Sequence, residues 1–412
     1  MYHPKRSRLR IIGSLIVVIS ASIFPVTSAS ADVLPNNPII NDYSSDPDAR
    51  WCYTGNSWGI CLTTSRDDRP QGWNYNGGNP YPMSVTRMYF LPQGSNPGVQ
   101  SNWQAKGSTV SVDGTNVGGV VLRENPGYSS WVDNNTRHLW APTNWYNSPW
   151  GRYNLLVPDL DVTNQPHSSS RIGVSRSASI DPGSTYTYLH TMNLATNGNG
   201  TAAPNSGYSS DPSFSNDWWP FITYANGDFD TRPCGKISFA MLDFELNVQS
   251  GWPKPLVINS ASPPAGTVNM TGVPTSLRGC DNNNDYYFEG PELFYRWVNG
   301  NQKWYLMFAS KPASGNSVIA YAMADNIDGP YAYQGIIMSG SSSEWTNQAT
   351  IVEGWGPNGM SLFFYHDGAS GTPHSRKVHA ECFRFNANGT IPTINRTTST
   401  SATSWVGNCW DD

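Results

Sequence analysis

The sequence predicts an all-β protein, and more specifically a five-bladed β-propeller. Stretches with apolar residues at helical spacing are rare, because Gly and Pro interrupt them. Short aromatic and β-branched runs bounded by turn residues dominate instead. Five of these runs are alike, and five repeats of a four-stranded unit would make five blades.

Each of the five runs begins at a turn, continues through aromatic and aliphatic residues, and ends in small or polar ones, which is typical of an inner propeller strand. They are residues 56–67, 150–159, 217–228, 301–310 and 358–368. Segments 171–181 and 318–328 align without gaps, and each follows one run at a similar distance, so we interpret them as the next strand of the repeat. The spacing of the runs is irregular. Periodicity alone therefore leaves a β-sandwich open, and the length also fits two smaller β domains.

The first 31 residues have the pattern of a secretory signal peptide. A basic start precedes the apolar run IIGSLIVVISASIF, and Ala29-Ser30-Ala31 is a small-residue cleavage site. We expect 1–31 to be removed on export and 32–412 to form one propeller domain outside the cell; a retained anchor is the alternative. No later apolar run approaches the roughly 18 residues of a membrane span, so we expect no membrane attachment after cleavage.

Composition restricts the class of partner. The formal net charge is −5 at pH 7 and no basic patch is present, which argues against a nucleic acid. The chain has 17 Trp, 21 Tyr and 14 Phe. Flat aromatic faces stack on the apolar faces of sugar rings, so an exported chain of this composition favours a carbohydrate ligand, although most aromatics are expected in the core. We expect a monomer.

An even number of cysteines in an exported chain indicates disulfide bonds. The six are Cys52, Cys61, Cys234, Cys280, Cys382 and Cys409. Cys52 and Cys61 flank the hairpin-like WCYTGNSWGIC and are expected to pair. The sequence leaves the other pairs open; pairing in chain order would give 234–280 and 382–409. No Cys/His cluster indicates a zinc site.

Three carboxyl groups are candidates for chemistry. The phrase YSSDP occurs at residues 43–47 and again at 208–212, which places Asp46 and Asp211 before a proline. Glu289 lies in YYFEGPELFYRW, where aromatic neighbours would raise its pKa and suit it to donate a proton. Glu292 is an alternative, since the Gly-Pro step makes the alternation of the strand uncertain. An Asp before Pro is more often a turn residue.

Six segments resemble glycoside hydrolase family 43, in the order of that family, and they cover residues 36–394. They are NNPIINDYSSDPDAR, HLWAPTNWYNSPWGRYNLLVP, SRIGVSRSASID, FEGPELFYRWVNGNQKWYLMFAS, NSVIAYAMADNIDGPYAYQGIIM, and GMSLFFYHDG with HSRKVHAECFRFNANGTI. The resemblance implies a five-bladed propeller. It also implies inverting hydrolysis of arabinofuranosyl or xylosyl linkages in plant cell-wall polysaccharides, as by an α-L-arabinofuranosidase or β-xylosidase.

The resemblance also implies roles for residues. Asp46 would be the general base, Glu289 the general acid, and Asp211 the carboxylate that raises the pKa of the acid and orients it. Trp140 and Arg376 match positions expected to bind substrate.

The chain departs from the family pattern at two positions. Thr143 stands where the family often has Asp, and Gln348, also expected to bind substrate, stands where it often has a His near a central ion. We therefore expect no required cofactor and leave a structural calcium open. Another glycan such as β-galactan, a retaining mechanism, and a propeller that binds sugar without hydrolysis remain alternatives.

Overall fold

Strands make up the regular structure of this chain. A computed structural model describes residues 32–33, 37–67, 83–112, 114–123, 139–160, 170–184, 186–194, 209–228, 234–279, 286–312, 316–340, 347–355, 359–368 and 376–397. Within these ranges the helices are three 3-10 turns, Gln100–Asn102, Ser148–Trp150 and Thr275–Leu277. None of them is long and apolar enough to cross a membrane. The prediction of an all-β protein is confirmed.

The described strands are numbered in chain order. They are β1 (Asp32–Val33), β2 (Ser45–Tyr53), β3 (Trp58–Ser65), β4 (Val85–Pro92), β5 (Gln104–Ala105), β6 (Ser108–Val112), β7 (Thr115–Arg123), β8 (Thr143–Asn147), β9 (Arg152–Leu160), β10 (Ser170–Ser177), β11 (Thr187–Thr191), β12 (Ser210–Phe214), β13 (Phe221–Asp228), β14 (Cys234–Met241), β15 (Lys254–Ile258), β16 (Val268–Thr271), β17 (Phe288–Val298), β18 (Asn301–Ser310), β19 (Val318–Ala324), β20 (Tyr331–Met338), β21 (Ala349–Val352), β22 (Ser361–Gly368) and β23 (Arg376–Phe383).

The strands form antiparallel units that follow one another along the chain. The first sheet has the order β2-β3-β4-β7-β6, and β5 pairs with β4. The second has the order β11-β10-β9-β8, and the last has β1-β23-β22-β21, so the early strand β1 lies in the same sheet as β23. The remaining nine-stranded sheet contains two antiparallel parts, β12 to β15 and β17 to β20. Strand β16 joins the two parts by pairing in parallel with β15 and with β20.

The first strands of the units, β2, β8, β12, β17 and β21, surround a common axis. Each contacts the next in this order, and β21 contacts β2, so the ring is closed. They run in the same direction along the axis, because residues from the later parts of all five, or directly after them, line one cavity. Near their starts Gly290 of β17 bonds to Asp211 of β12, and near their ends Tyr295 of β17 bonds to Asn216 after β12. We call the end where these strands start the front and the opposite end the rear.

The five similar runs of the sequence are strands, but the prediction that they are inner strands is wrong. They form the second strand of each unit, namely β3, β9, β13, β18 and β22. A second strand has a neighbour on each edge and is covered on both faces, so it is apolar almost throughout; Trp304 to Ser310 of β18 are all buried. The prediction that segments 171–181 and 318–328 follow these runs in the sheet is confirmed, since β10 pairs with β9 and β19 with β18.

Apolar residues fill the spaces between neighbouring units. Ile60 and Leu62 of β3, for example, pack in one cluster with Phe364 and Ala380 of the last sheet. The predicted disulfide bond between Cys52 and Cys61 is confirmed and joins β2 to β3.

The other cysteine pairs stay predictions. Cys382 is also disulfide-bonded. Cys280 and Cys409 lie outside the described residues, so the pairs 234–280 and 382–409 are not tested.

Candidate active site

An unusual backbone step recurs at the front of four first strands. Asp46, Ala141, Asp211 and Gly290 have φ values of 50°, 25°, 47° and 50°, and each is followed by a proline. At three of them, in β2, β12 and β17, the pairing register with the second strand shifts as in a β-bulge. L residues rarely adopt positive φ, so Asp46, Ala141 and Asp211 are strained and are held by their surroundings. The repeated YSSDP is therefore the sequence of one bulge used twice.

In β17 the residue that corresponds to Asp46 and Asp211 is Gly290, and close packing explains why it is a glycine. A Cβ atom there would lie 3.2 Å from the carbonyl oxygen of Asn347 and 3.2 Å from Cγ of Gln348. A Cβ atom there would press on these neighbours, and glycine avoids both this contact and the strain of the positive φ. The carboxyl group of this segment is instead on Glu289, one residue earlier, which corresponds to Ser45 and Ser210 in the YSSDP copies. Glu289 thus enters the site from a different point of the bulge than the two aspartates do.

Asp46 is buried and held in an ion pair. Its Oδ1 accepts a hydrogen bond of 3.1 Å from Nη1 of Arg376, and its backbone N–H donates to Nδ1 of His366 at 3.0 Å. The guanidinium of Arg376 is fixed from the other side by Asp67, at 2.7 Å to Oδ1 and 3.1 Å to Oδ2. Ser45 also donates to Asp67. Asp46 is thus a carboxylate with a fixed orientation and a positive neighbour.

Asp211 lies next to the Glu289 segment. Its Oδ2 accepts a hydrogen bond of 3.2 Å from the backbone N–H of Gly290, and its Oδ1 accepts one of 2.9 Å from Ser210. Burial of the carboxyl group, and then the negative charge of Asp46, raise the pKa of Asp211 to about 6. Asp211 is therefore ionised at neutral pH and places a negative charge beside Glu289.

Glu289, unlike Asp211, tends to keep its proton at neutral pH. Burial of its carboxyl group, and then the charge of Asp211, raise its pKa to about 8, against the hydrogen bond from the Tyr287 hydroxyl, which lowers it. The residue as a whole is partly exposed, but its Oε1 is buried and has no hydrogen-bond partner in the described part of the chain. Glu289 is therefore mainly protonated at neutral pH and can donate that proton.

A buried ionic layer lies behind these three carboxyl groups. Nη2 of Arg50 is 2.6 Å from Oδ1 of Asp48, 2.7 Å from Oε2 of Glu292 and 2.7 Å from Oγ of Ser213. All four side chains are at most 7% exposed. One guanidinium thus joins the first strands β2, β12 and β17 at the axis.

The remaining two first strands complete this layer. Thr350 of β21 donates to Oε1 of Glu292 at 3.1 Å, and the backbone N–H of Asn144 in β8 donates to Oδ2 of Asp48 at 3.0 Å. The contacts of this layer distinguish Glu289 from Glu292 as the candidate acid. The bulge at the Gly-Pro step breaks the alternation of β17, so Glu292 also points to the axis, but it is bonded to Arg50 and lies deeper than Glu289.

The other residues predicted to bind substrate lie at the front as well. Gln348 is buried beside Gly290, and Arg376 contacts Asp46. Trp140 is partly exposed and immediately precedes Ala141, the strained residue at the head of β8.

Sequence reasoning missed three contributors to this site. Asp67 orients Arg376, the ring of His366 accepts the Asp46 N–H, and the Tyr287 hydroxyl bonds to Glu289. Tyr287 could have been identified from the sequence, because it lies two residues before Glu289. Nothing in the sequence marks Asp67.

Comparisons with known proteins give structural similarity only. No family model and no curated protein matches the chain. A family 43 β-xylosidase/α-arabinofuranosidase from a compost microbial metagenome, solved with xylotriose in a calcium-free form, has a TM-score of 0.59 at 20% identity and covers 88% of this chain and 98% of its own. A GH43_1 enzyme from Xanthomonas citri has a TM-score of 0.57 at 17% identity, with 89% and 94% covered. An α-L-arabinofuranosidase from Lactobacillus brevis has a TM-score of 0.58 at 12% identity, with 89% and 98% covered. The chain therefore has the fold of these glycoside hydrolases.

Proposed function

We propose that this chain is a secreted member of glycoside hydrolase family 43. It would hydrolyse arabinofuranosyl or xylosyl linkages of plant cell-wall polysaccharides with inversion, as an α-L-arabinofuranosidase or a β-xylosidase. One observation carries the proposal: at one end of the axis, a carboxyl group fixed by an arginine lies near a second carboxyl group whose pKa is raised. Asp46 is paired with Arg376, and the pKa of Glu289 is raised to about 8. The solved structures that share the fold support the substrate class.

The proposal includes the architecture. The closed ring of five first strands supports a five-bladed propeller, in which the nine-stranded sheet counts as two blades joined by β16. A propeller of this kind would bring side chains from separate blades to one cleft. We further propose that 32–412 is one domain and that residues 1–31, which lie outside the described residues, are the signal peptide for secretion.

The chemistry follows from the different surroundings of these two carboxyl groups, Asp46 and Glu289. Asp46 would accept a proton from a water molecule as that water attacks the anomeric carbon. Glu289 would give its proton to the departing glycosidic oxygen, and the C–O bond to the leaving group breaks as the bond to water forms. Arg376, itself fixed by Asp67, keeps the Asp46 carboxylate in place. Asp211 would keep Glu289 protonated through its nearby charge.

The residues at the axis do not fit a calcium ion. One of the similar structures is a calcium-free form. Here the two axial carboxylates, Asp48 and Glu292, are both bonded to the guanidinium of Arg50. Among the described residues, no group of three or more His, Cys, Asp or Glu side chains is arranged to hold a metal. The proposed chemistry assigns no step to a metal; a structural calcium and the lack of a required cofactor stay predictions.

A substrate panel tests the proposed function. We expect the purified protein to release arabinose or xylose from aryl α-L-arabinofuranosides, aryl β-xylosides, arabinoxylan or arabinan, and to release none from β-galactan. Proton NMR of the first-formed sugar should show the inverted anomer. Release of galactose alone would contradict the substrate class, a retained anomer would contradict the mechanism, and no release from any substrate would leave a sugar-binding propeller.

Asp211→Asn is expected to move the alkaline limb of the pH profile. The amide keeps the shape and the acceptor for the Gly290 N–H but removes the negative charge that raises the pKa of Glu289. Because the acid must be protonated, activity is lost as pH rises through its pKa. A lower pKa therefore moves the loss to lower pH, by about one unit. The measurement is kcat/KM against pH for both proteins.

Ser210→Ala is the matched control for this prediction. It removes one hydrogen bond to Asp211 but leaves the charge, which is fully present above the Asp211 pKa of about 6. Its alkaline limb should coincide with that of the unmodified protein. An unmoved limb in Asp211→Asn would show that Asp211 does not tune the acid.

A further inference from the structure

A cavity opens at the rear of the axis, away from the candidate active site. Its volume is about 330 Å³. It is lined by the rear ends of the first strands, and its inner end is formed by Ala49 and Arg50. We call it the rear cavity. It is concave and combines aromatic side chains with polar ones, as small-molecule and glycan sites do.

The rear cavity is separate from the front site. Asp46 lies at the start of β2, Arg50 in its middle, and Trp51, which lines the rear cavity, beyond it. At about 3.3 Å per strand residue, Asp46 and Trp51 are on the order of 15 Å apart along the strand. Between them the guanidinium of Arg50 is bonded to Asp48 and Glu292 across the axis. A ligand in the rear cavity would therefore not reach the carboxyl groups at the front.

Exposed tryptophans gather on the rear face. In the described part of the chain, four tryptophans are exposed: Trp58 (45%), Trp150 (48%), Trp218 (69%) and Trp297 (65%). Each lies at the hairpin that joins a first strand to a second strand, and all these hairpins are at the rear. Trp58 and Trp218 line the rear cavity itself. Two large exposed aromatic residues beside one cavity mark a binding surface, to which Trp150 and Trp297, outside the lining, do not belong.

The walls of the cavity hold these rings in defined positions. Trp58 makes an edge contact with Tyr146 at 6.1 Å between ring centroids. On the other side Trp218 packs on Trp219 at 5.4 Å and on Phe244 at 6.0 Å. The rings are thus supported from behind, so that stacking on them would cost little conformational entropy.

Two buried polar atoms in the lining have no partner. Oδ1 of Asn147, a residue only 2% exposed, and Oε1 of Glu353 make no hydrogen bond within the described residues. The other oxygen of Glu353 is paired with Arg296 at 3.1 Å. Unpaired buried acceptors are costly, and a ligand that carries hydroxyl donors would satisfy them. Asp217 also lines the cavity, so the site disfavours an acidic ligand.

We propose that the rear cavity and its tryptophans bind a neutral β-1,4-linked xylopyranose chain. A xylopyranose chair with equatorial hydroxyls presents flat C–H faces for stacking and hydroxyl groups at its edge for the acceptors. A furanose ring is less flat and stacks less well. The choice of xylan as the polymer rests on the proposed function, whereas the presence of a sugar site at the rear does not.

Such a site would tether the polymer while the front site acts on the same or a neighbouring chain. Tethering raises the effective concentration of polymer without changing the chemical step. The effect is confined to long substrates, because a short aryl glycoside cannot engage both ends of the axis. The ratio of the rate on arabinoxylan to the rate on an aryl glycoside therefore reports the rear site.

Calorimetry with xylohexaose on the Glu289→Gln variant tests the proposal, since this variant keeps the chain intact during the titration. We expect two binding sites per protein. The further substitution Trp218→Ala should weaken one of them about tenfold and leave the other in place. In the otherwise unmodified protein, Trp218→Ala should lower the ratio of the arabinoxylan rate to the aryl glycoside rate.

Trp297→Ala is the matched control, because Trp297 is as exposed as Trp218 and lies on the same face but does not line the cavity. It should leave both sites within twofold. A single site that Trp218→Ala does not weaken overturns the proposal, and so does an effect of equal size from Trp297→Ala. If aryl glycosides are not hydrolysed but the site sensitive to Trp218 is present, the proposed function fails and the rear site stands.

Discussion

Asp46→Asn and Glu289→Gln are each expected to lower kcat by about two to four orders of magnitude, but with different dependence on the leaving group. Glu289 would supply a proton to the departing oxygen, so Glu289→Gln should recover much of its rate on a dinitrophenyl glycoside, whose leaving group needs no proton. Asp46 would activate water for every substrate. Asp46→Asn should therefore be slow on activated and ordinary substrates alike.

The measurement is kcat on aryl glycosides of graded leaving-group pKa. Asp328→Asn, a surface carboxylate paired with Lys254, is the matched control and should have the rate of the unmodified protein. Equal losses on all leaving groups in Glu289→Gln would remove Glu289 from the acid role. Full activity of both variants would contradict the assignment of Asp46 as the base and Glu289 as the acid.

Measuring stability against pH would test separately whether the Glu289→Gln variant folds. In the unfolded chain a glutamate loses its proton near 4.5, whereas folded Glu289 keeps it to about 8. The folded state therefore binds more protons between these values, and stability falls as pH rises through them. Glu289→Gln lacks this loss, so its melting temperature should exceed that of the unmodified protein increasingly from pH 5 to pH 8.

How much of the site the sequence could predict depends on how far apart in the chain its parts lie. Asp46 and Asp211 were found because each sits in a local phrase, and Glu289 because its aromatic neighbours are adjacent. The Arg50 layer has no such signal. Arg50 and Glu292 are 242 positions apart, and nothing local in the sequence links them. Asp67 and Arg376 are 309 apart, so only the closed ring of sheets brings them together.

The fold, like the site, could be predicted where its signals are local. Local patterns identified strands and their turns, because apolar content and turn residues depend on neighbours. They identified the second strands best, since those are covered on both faces. Apart from the starts of β2 and β12, which the two YSSDP copies mark, the first strands were harder to recognise. Their polar residues face the axis, as Asp48 and Thr350 do, and a polar position on a buried strand looks like a loop in sequence.

Arg50→Met is expected to destabilise the fold by about 3–5 kcal/mol. Methionine replaces the volume of the stem but removes the charge that Asp48 and Glu292 share, and both carboxyl groups are buried at 2% exposure. Two buried carboxyl groups left without their cation face the cost of desolvation or of taking up a proton, and burial already raises the pKa of Glu292 to about 7. Urea unfolding followed by tryptophan fluorescence gives the free energy. Arg152→Met, at an exposed pair with Glu245, is the control and should cost less than about 1 kcal/mol.

A double substitution separates lost charge balance from lost packing. If the cost in Arg50→Met comes from uncompensated charge, adding Glu292→Gln should restore part of it, because the amide needs no cation and can still accept from Thr350. If it comes from packing alone, the two costs should add. Additive costs, or a loss in Arg50→Met no larger than in Arg152→Met, would mean that the guanidinium does not hold the first strands together at the axis. Recovery would show that one arginine balances the two carboxylates between the front site and the rear cavity.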